Sequence, residues 1–107
     1  QQFRALLSVT SVMGAFFTLL DSFMRWLATH HVERSAAHEY TSMMFLGLAK
    51  AAHERRRPFD ELAQEFKTKG GLNEQFASIL GREGVFKDYT DALDAVLTRI
   101  EQQSGRH

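Results

Sequence analysis

Apolar residues recur along this chain at three- and four-residue intervals, and nowhere do they alternate over a strand-length run. From about Leu7 or Ser11 to Thr29, Phe16, Leu20, Phe23 and Leu27 mark one stripe, and Met13, Phe17 and Met24 mark a second. This spacing predicts a helix apolar on nearly every side, which must be covered on nearly every side. A second helix is predicted over about Glu33 to Glu54, with Tyr40, Met43, Met44, Gly47, Leu48 and Ala51 inward. Ala36, Gly47 and Ala51 allow close helix approach there, and Arg55-Arg56-Arg57 at the C-terminal end suits the helix dipole. Pro58 is read as the first residue of a third helix, with Asp60 and Glu61 in its first turn and Phe59, Leu62 and Phe66 as its buried stripe. A fourth helix follows Gly70-Gly71, carries Leu72, Phe76 and Ile79 inward and ends near Gly81. Gly84 turns the chain into a fifth, where Tyr89, Leu93, Val96 and Ile100 repeat along one face, and Gln102 to His107 form a polar tail. The predicted fold is all-α: five helices in one domain.

Composition narrows what such a domain does. With 13 basic and 13 acidic residues in 107, the formal net charge is zero. That removes the main electrostatic reason to expect nucleic acid or an anionic membrane as a partner. Cysteine is absent, which excludes disulfides, thiolate metal sites and a cysteine nucleophile, and fits a reducing cytoplasm. The longest uncharged run, Ala5 to Leu20, is interrupted by Ser8, Thr10, Ser11 and Thr18 and is shorter than the ~20 apolar residues of a bilayer span. A buried helix is expected instead, with a second copy of the chain as its cover. Because the chain begins at Gln1, it is expected to be a piece of a longer protein.

Candidate chemistry is sparse. The histidines, His30, His31, His38, His53 and His107, form no metal-binding pair on a helix face, so no metal site is expected. His30 and His31 close the first helix, and His38 with Glu39 reads as a solvated face. Arg55 to Arg57 lack interleaved aromatics and are flanked by Glu54, Asp60 and Glu61, so they read as a solvated helix end. Met43 and Met44 read as core. No nucleophile–base set and no nucleotide-binding glycine loop is present, so no catalytic residue and no cofactor-binding residue is assigned. The exception is KTKGGLNEQF, residues 67–76. Gly70-Gly71 ahead of a helix is a corner, a hinge or a cradle, since glycine admits close backbone approach and a helix N-terminus offers N–H groups to a carboxylate or phosphate.

From Leu6 to Ile100 the chain resembles the C-terminal helical dimerisation domain of the pyrroline-5-carboxylate reductase family. RPFDELAQEFKTKGGLNEQFASILGREGVF is similar to the family's H/R-P…L-K-D…S-P-G-G-T-T…L-E…G-F layout, with Leu62, Gly70-Gly71 and Gly84 to Phe86 at matching spacing. SVMGAFFTLLDSF resembles the S-G-S-G-P-A-Y segment and the helix after it. VERSAAHEYTSMMFLGLAKAA resembles the P-R-E-x-A…G-A-A-K helix, with Gly47 and Lys50 in place. The resemblance implies an intertwined homodimer and an N-terminal Rossmann domain, outside residues 1–107, that binds NAD(P)H. It also implies a small carboxylate substrate held at Thr10 and Ser11 and at the corner formed by Thr68, Lys69, Gly70, Gly71, Leu72 and Asn73. Several positions depart from the family's pattern. Its T-T is Leu72-Asn73 here, the proline before Gly-Gly is Lys69, and upstream the tyrosine is Phe16 and the proline Gly14.

Two functions follow. One is the dimerisation and substrate-pocket domain of an NAD(P)-dependent reductase acting on an imine or carbonyl, inactive as an isolated fragment and without nucleic acid or membrane partners. The other is a non-catalytic dimerisation or regulatory module of the same descent, which the exchange of two threonine hydroxyls for Leu72 and Asn73 favours. A free-standing helical adaptor has the least support.

Overall fold

In the computed structural model, which describes residues 2–104, the first predicted helix starts at Gln2 and reaches Thr29 in two segments, α1 (Gln2–Thr10) and α2 (Val12–Thr29). Ser11 joins them within the helical region, at φ −67° and ψ −11°. The hydroxyls of Ser8, Thr10 and Ser11 donate to the carbonyls of Arg4, Leu7 and Ser8 at 2.9, 2.5 and 2.6 Å. Such back-bonding competes with the backbone ladder and bends helices, which accounts for the joint. Counted as one rod, α1–α2 is the first of five helices, and no strand occurs among the described residues. The rod is 28 residues long, with a mean hydropathy of 1.6 over its most apolar window, enough by length and composition to cross a membrane. By length and composition alone the rod is not distinguished from a membrane span.

The other helices are α3 (Arg34–Arg55), α4 (Phe59–Phe66), α5 (Leu72–Arg82) and α6 (Val85–Ser104). Local chemistry sets their ends. Glu33 caps α3, its carboxylate accepting the Ala36 N–H at 3.0 Å and the Ser35 hydroxyl at 2.6 Å. Pro58 precedes α4 as its cap rather than opening it, and its carbonyl accepts the N–H groups of Glu61 and Leu62 at 3.0 and 3.2 Å. Gly84, at φ +75°, turns the chain between α5 and α6. Helix α6 takes in Gln102 to Ser104, the first part of the predicted tail, and residues 105–107 lie outside the described part. His30 and His31 do end the first rod. The N–H groups of His31 and Val32 donate to the carbonyls of Ala28 and Leu27, both at 3.1 Å, a Schellman closure with His31 at φ +64°.

Helix α3 folds back on α2 through a cluster of rings. Phe45, half-buried, meets Phe16 edge-on at 5.7 Å and stacks on Phe23 at 6.1 Å. The face of α3 against α2 is thus Ala37, Thr41 and Phe45, spaced four apart, with Ala37 and Thr41 buried. The predicted inward stripe is Tyr40, Met43, Met44, Gly47, Leu48 and Ala51; of these Tyr40, Met43, Met44 and Leu48 are exposed, and a side chain at Gly47 would meet nothing within 4 Å. The close approach is made at Ala37 instead. A similar shift occurs on α5, whose half-buried face is Glu74, Ala77 and Leu80, while Leu72, Phe76 and Ile79 are exposed. On α6, Leu93, Val96 and Ile100 are half-buried as expected and Tyr89 is exposed. Helix α6 packs against both α1 and α5.

Ion pairs join helix α4 to the end of α3. Glu65 accepts from Arg55 at 3.0 Å and also from Arg57, whose guanidinium lies 3.6 Å from Glu61. Phe59 and Phe66 on the same helix are exposed.

The protomer is elongated and poor in core. Its radius of gyration is 17.0 Å over a length of 53 Å, against ~13 Å for a compact domain of this size. It exposes 9150 Å², whereas a folded monomer of 12.2 kDa exposes ~6,100 Å². Among the described residues Ala37 is the only buried apolar side chain.

Candidate functional site

The two glycines of the corner are there for different reasons. Gly70 sits at φ +77°, a conformation that side chains resist, with open space around it. Gly71 has an ordinary extended backbone, but a Cβ on it would lie 2.9 Å from the Thr68 carbonyl oxygen. That same carbonyl accepts the Gly71 N–H at 2.7 Å, which draws the turn tight. Gly71 is then the cap residue from which α5 starts.

An anion already occupies part of this corner. The Glu74 carboxylate, half-buried at the third position of α5, accepts the Gly70 N–H at 2.9 Å. This is close to a capping box, in which an acidic side chain reaches back from the third helical position. With the N–H groups of Gly70 and Gly71 both engaged, the donors left for an external group are the first-turn N–H groups of Leu72, Asn73 and Glu74. Around them Thr68, Lys69 and Asn73 are exposed and Leu72 is 82% exposed. The acidic residue three positions after Gly71 was the sequence signal for this arrangement, and Glu74 is the site residue that the reading of the sequence missed.

Thr10 and Ser11 belong to the α1–α2 joint. Both hydroxyls donate their protons to carbonyls of their own helix, so a carboxylate there would first have to displace those bonds. None of the main grooves on the protomer is lined by Thr10, Ser11 or residues 68–73. Among the described residues no three His, Asp or Glu side chains gather at metal-ligand spacing.

The most apolar groove lies elsewhere. Phe23, Trp26 and Leu27 of α2, Tyr40 and Met44 of α3 and Phe76 of α5 line a depression of about 590 Å³. Along the rod, Phe3, Leu6, Val9, Met13 and Phe17 form a ridge in which every member is more than half exposed. Only 6% of the rod's most apolar stretch is buried within the chain. Surfaces of this size on a folded protein mark interaction sites.

A family model described as pyrroline-5-carboxylate reductase dimerisation matches residues 1–103. The chain belongs to this family. The match takes in the rod, the α2–α3 hairpin, the glycine corner and α6, so the pyrroline-5-carboxylate reductase dimerisation domain accounts for the whole described fold. No curated protein and no solved structure matches the chain. As a dimerisation domain it has a use for the apolar ridge and groove that its own helices leave uncovered.

Proposed function

We propose that this chain is the dimerisation domain of an NAD(P)-dependent reductase similar to pyrroline-5-carboxylate reductase, and that its partner is a second copy of itself. The observation that carries the reading is the coincidence of the family match with an uncovered apolar surface. The excess over a compact monomer is roughly 3,000 Å², well above the ~800 Å² per partner of a standard interface. Protein rather than lipid is the cover proposed for the rod, because Asp21 and Arg25 pair on it at 2.9 Å and the family match runs through it. The same reading leaves out nucleic acid, for which the balanced charge gives no attraction, and makes the protein cytoplasmic. Sedimentation of the chain at micromolar concentration tests it: a dimer is expected, and Phe17→Asp, on the exposed ridge, should weaken it. A well-folded wild-type monomer at that concentration would overturn the homodimer.

In the intact reductase, hydride would come from NAD(P)H. The residues here do not fit a dinucleotide, since no strand precedes the glycine corner and its glycine N–H groups are engaged within the chain. The cofactor is therefore assigned to a separate Rossmann domain. The part proposed for this chain is to orient a carboxylate substrate at the start of α5, using the N–H groups of Leu72 and Asn73, the Asn73 amide and the Lys69 ammonium, with Thr68, Gly70 and Gly71 shaping the turn and Thr10 and Ser11 contributing from the rod. Asn73→Ala and Lys69→Ala in the full-length enzyme are the suitable tests, because neither alters the turn. A fall in kcat/KM with the dimer intact is expected. Unchanged kinetics in both would return the corner to a purely structural turn.

A specific observation favours the second reading, a non-catalytic dimerisation or regulatory module. Glu74 holds a carboxylate against Gly70, and Leu72 stands where the family has a threonine. An intact protein that dimerises but oxidises no NAD(P)H with any imine or carbonyl substrate would select that reading.

A further inference from the structure

The α2–α3 hairpin carries a second depression, on the side of α2 away from the apolar groove. Asp21, Met24, Arg25 and Ala28 stand three or four residues apart and so share one face of α2. It lies opposite the face that gives Phe23, Trp26 and Leu27 to the groove. Val32 in the turn and Arg34, Ala37 and His38 of α3 close the depression from the other side. Its volume is about 400 Å³, within the ~300–1,000 Å³ of small-molecule sites. No residue of the glycine corner lines it.

The floor is apolar. Ala37 is buried where α3 meets α2, Met24 is half-buried, and Ala28 and Val32 extend the same surface toward the turn. The rim is charged, but its charges differ in standing. Arg25 is neutralised by Asp21 at 2.9 Å on its own helix. The neighbouring Glu33 carboxylate is turned to the start of α3, where it accepts the Ser35 hydroxyl and the Ala36 N–H. Arg34 and His38 have no such partner. Among the described residues, neither side chain makes a hydrogen bond or an ion pair. One turn apart on α3, they stand side by side at the rim.

These features define a ligand chemistry. A guanidinium fork takes a carboxylate in two parallel hydrogen bonds, one positive charge against one negative. The imidazole adds a further polar group beside it, and the floor suits a hydrocarbon body. A phosphate would bring charge that the rim does not balance and would leave the floor uncovered. We propose that this depression binds a small monocarboxylate with an apolar body. Its carboxylate lies on Arg34 and His38, and its hydrocarbon part on Met24, Ala28, Val32 and Ala37. The site is separate from the substrate position proposed at the start of α5 and does not rest on it. Because its walls come from both helices, an occupant ties α2 to α3 beside their connecting turn.

The probe is sodium hexanoate, titrated at neutral pH and constant ionic strength into the nitrogen-15-labelled chain and followed by its amide resonances. Acetate and inorganic phosphate, which lack the hydrocarbon body, and hexan-1-ol, which lacks the charge, are the comparisons. Saturable shifts at Met24, Ala28, Ala37 and His38 are expected with hexanoate, at a Kd about tenfold or more below that of each comparison. Arg34→Gln should weaken hexanoate about tenfold, the worth of a hydrogen bond to a charged group, and leave hexan-1-ol unchanged. Hexan-1-ol binding as tightly as hexanoate would mean an apolar dent without a charge requirement. Acetate or phosphate binding as tightly would mean a general attraction of anions. Either result overturns the proposal, and so does hexanoate binding that fails to saturate or is indifferent to Arg34→Gln. Kinetics of Asn73→Ala and Lys69→Ala test the glycine corner independently, so the two sites can fail separately.

Discussion

The Glu74 carboxylate accepts the Gly70 N–H at 2.9 Å, four residues back along the chain. It satisfies a donor that the turn would otherwise leave to solvent and ties the start of α5 to the corner before it. Glu74→Ala should therefore destabilise the fold by about 0.5–2 kcal/mol, the usual worth of a helix cap. Urea midpoints at one fixed protein concentration measure it. The same variant vacates the Gly70 N–H, so inorganic phosphate should shift the Gly70 amide resonance in Glu74→Ala and leave it in place in the wild type.

Substitutions at the two glycines should separate conformation from space. Gly70→Asn is expected to retain most of the stability that Gly70→Ala loses, since asparagine tolerates the left-handed region. At Gly71 the obstacle is the Thr68 carbonyl, so alanine and asparagine should both cost about 1–3 kcal/mol. Equal losses for asparagine at both positions would refute the distinction.

Most element boundaries were legible because their causes are local. Glu33 acts through its own carboxylate and Pro58 and Gly84 through their backbone, and each stands within a residue of where the sequence placed a helix end. The faces of α3 and α5 were not legible for a physical reason. Periodicity identifies an inward face by assuming that the chain supplies its own cover, and α3 carries apolar residues around much of its circumference. Choosing Tyr40 and Met43 over Thr41 and Phe45 followed the apolar period, whereas the hairpin buries the face that carries Ala37, Thr41 and Phe45. In the candidate site, the Gly-Gly turn and the helix start were readable from the residues, whereas Thr10 and Ser11 entered only through the family resemblance. Their side chains close back on α1, a competition that the sequence does not display.

Replacing His31 by glycine should raise stability. His31 holds φ +64° to close the Schellman turn, a conformation that costs a side chain about 1–2 kcal/mol and costs glycine little. After the greater backbone freedom of glycine in the unfolded chain is deducted, a gain of about 0.5–1 kcal/mol is expected. It appears as a rise in Tm of a few degrees at constant protein concentration. A lower Tm for His31→Gly would mean that the imidazole makes an interaction in the assembled protein.

Acid should act on α3 through Glu33. The Ser35 hydroxyl, then the Ala36 and Ser35 N–H groups, hold its carboxyl below the ordinary glutamate value of 4.5. Because the folded value is depressed, the stabilisation is fully present above pH 4.5 and is lost as the pH falls through the folded value. Comparing wild type with Glu33→Gln by thermal melts, the Tm gap should be constant near neutrality and shrink on the acid side. A gap that widens in acid would reverse the assignment.

The carboxylate of Glu65, shared between Arg55 and Arg57, has a consequence for ionic strength. Exposed ion pairs are screened over a Debye length of ~8 Å at physiological salt, whereas ring packing is not. Phe45 against Phe16 and Phe23 should therefore hold the α2–α3 hairpin in concentrated electrolyte, while α4 loosens from the end of α3. Residues 67–71 follow α4 directly, so the glycine corner is tethered to the hairpin through this ionic clamp. Salt reaches the corner by way of α4 without touching either glycine.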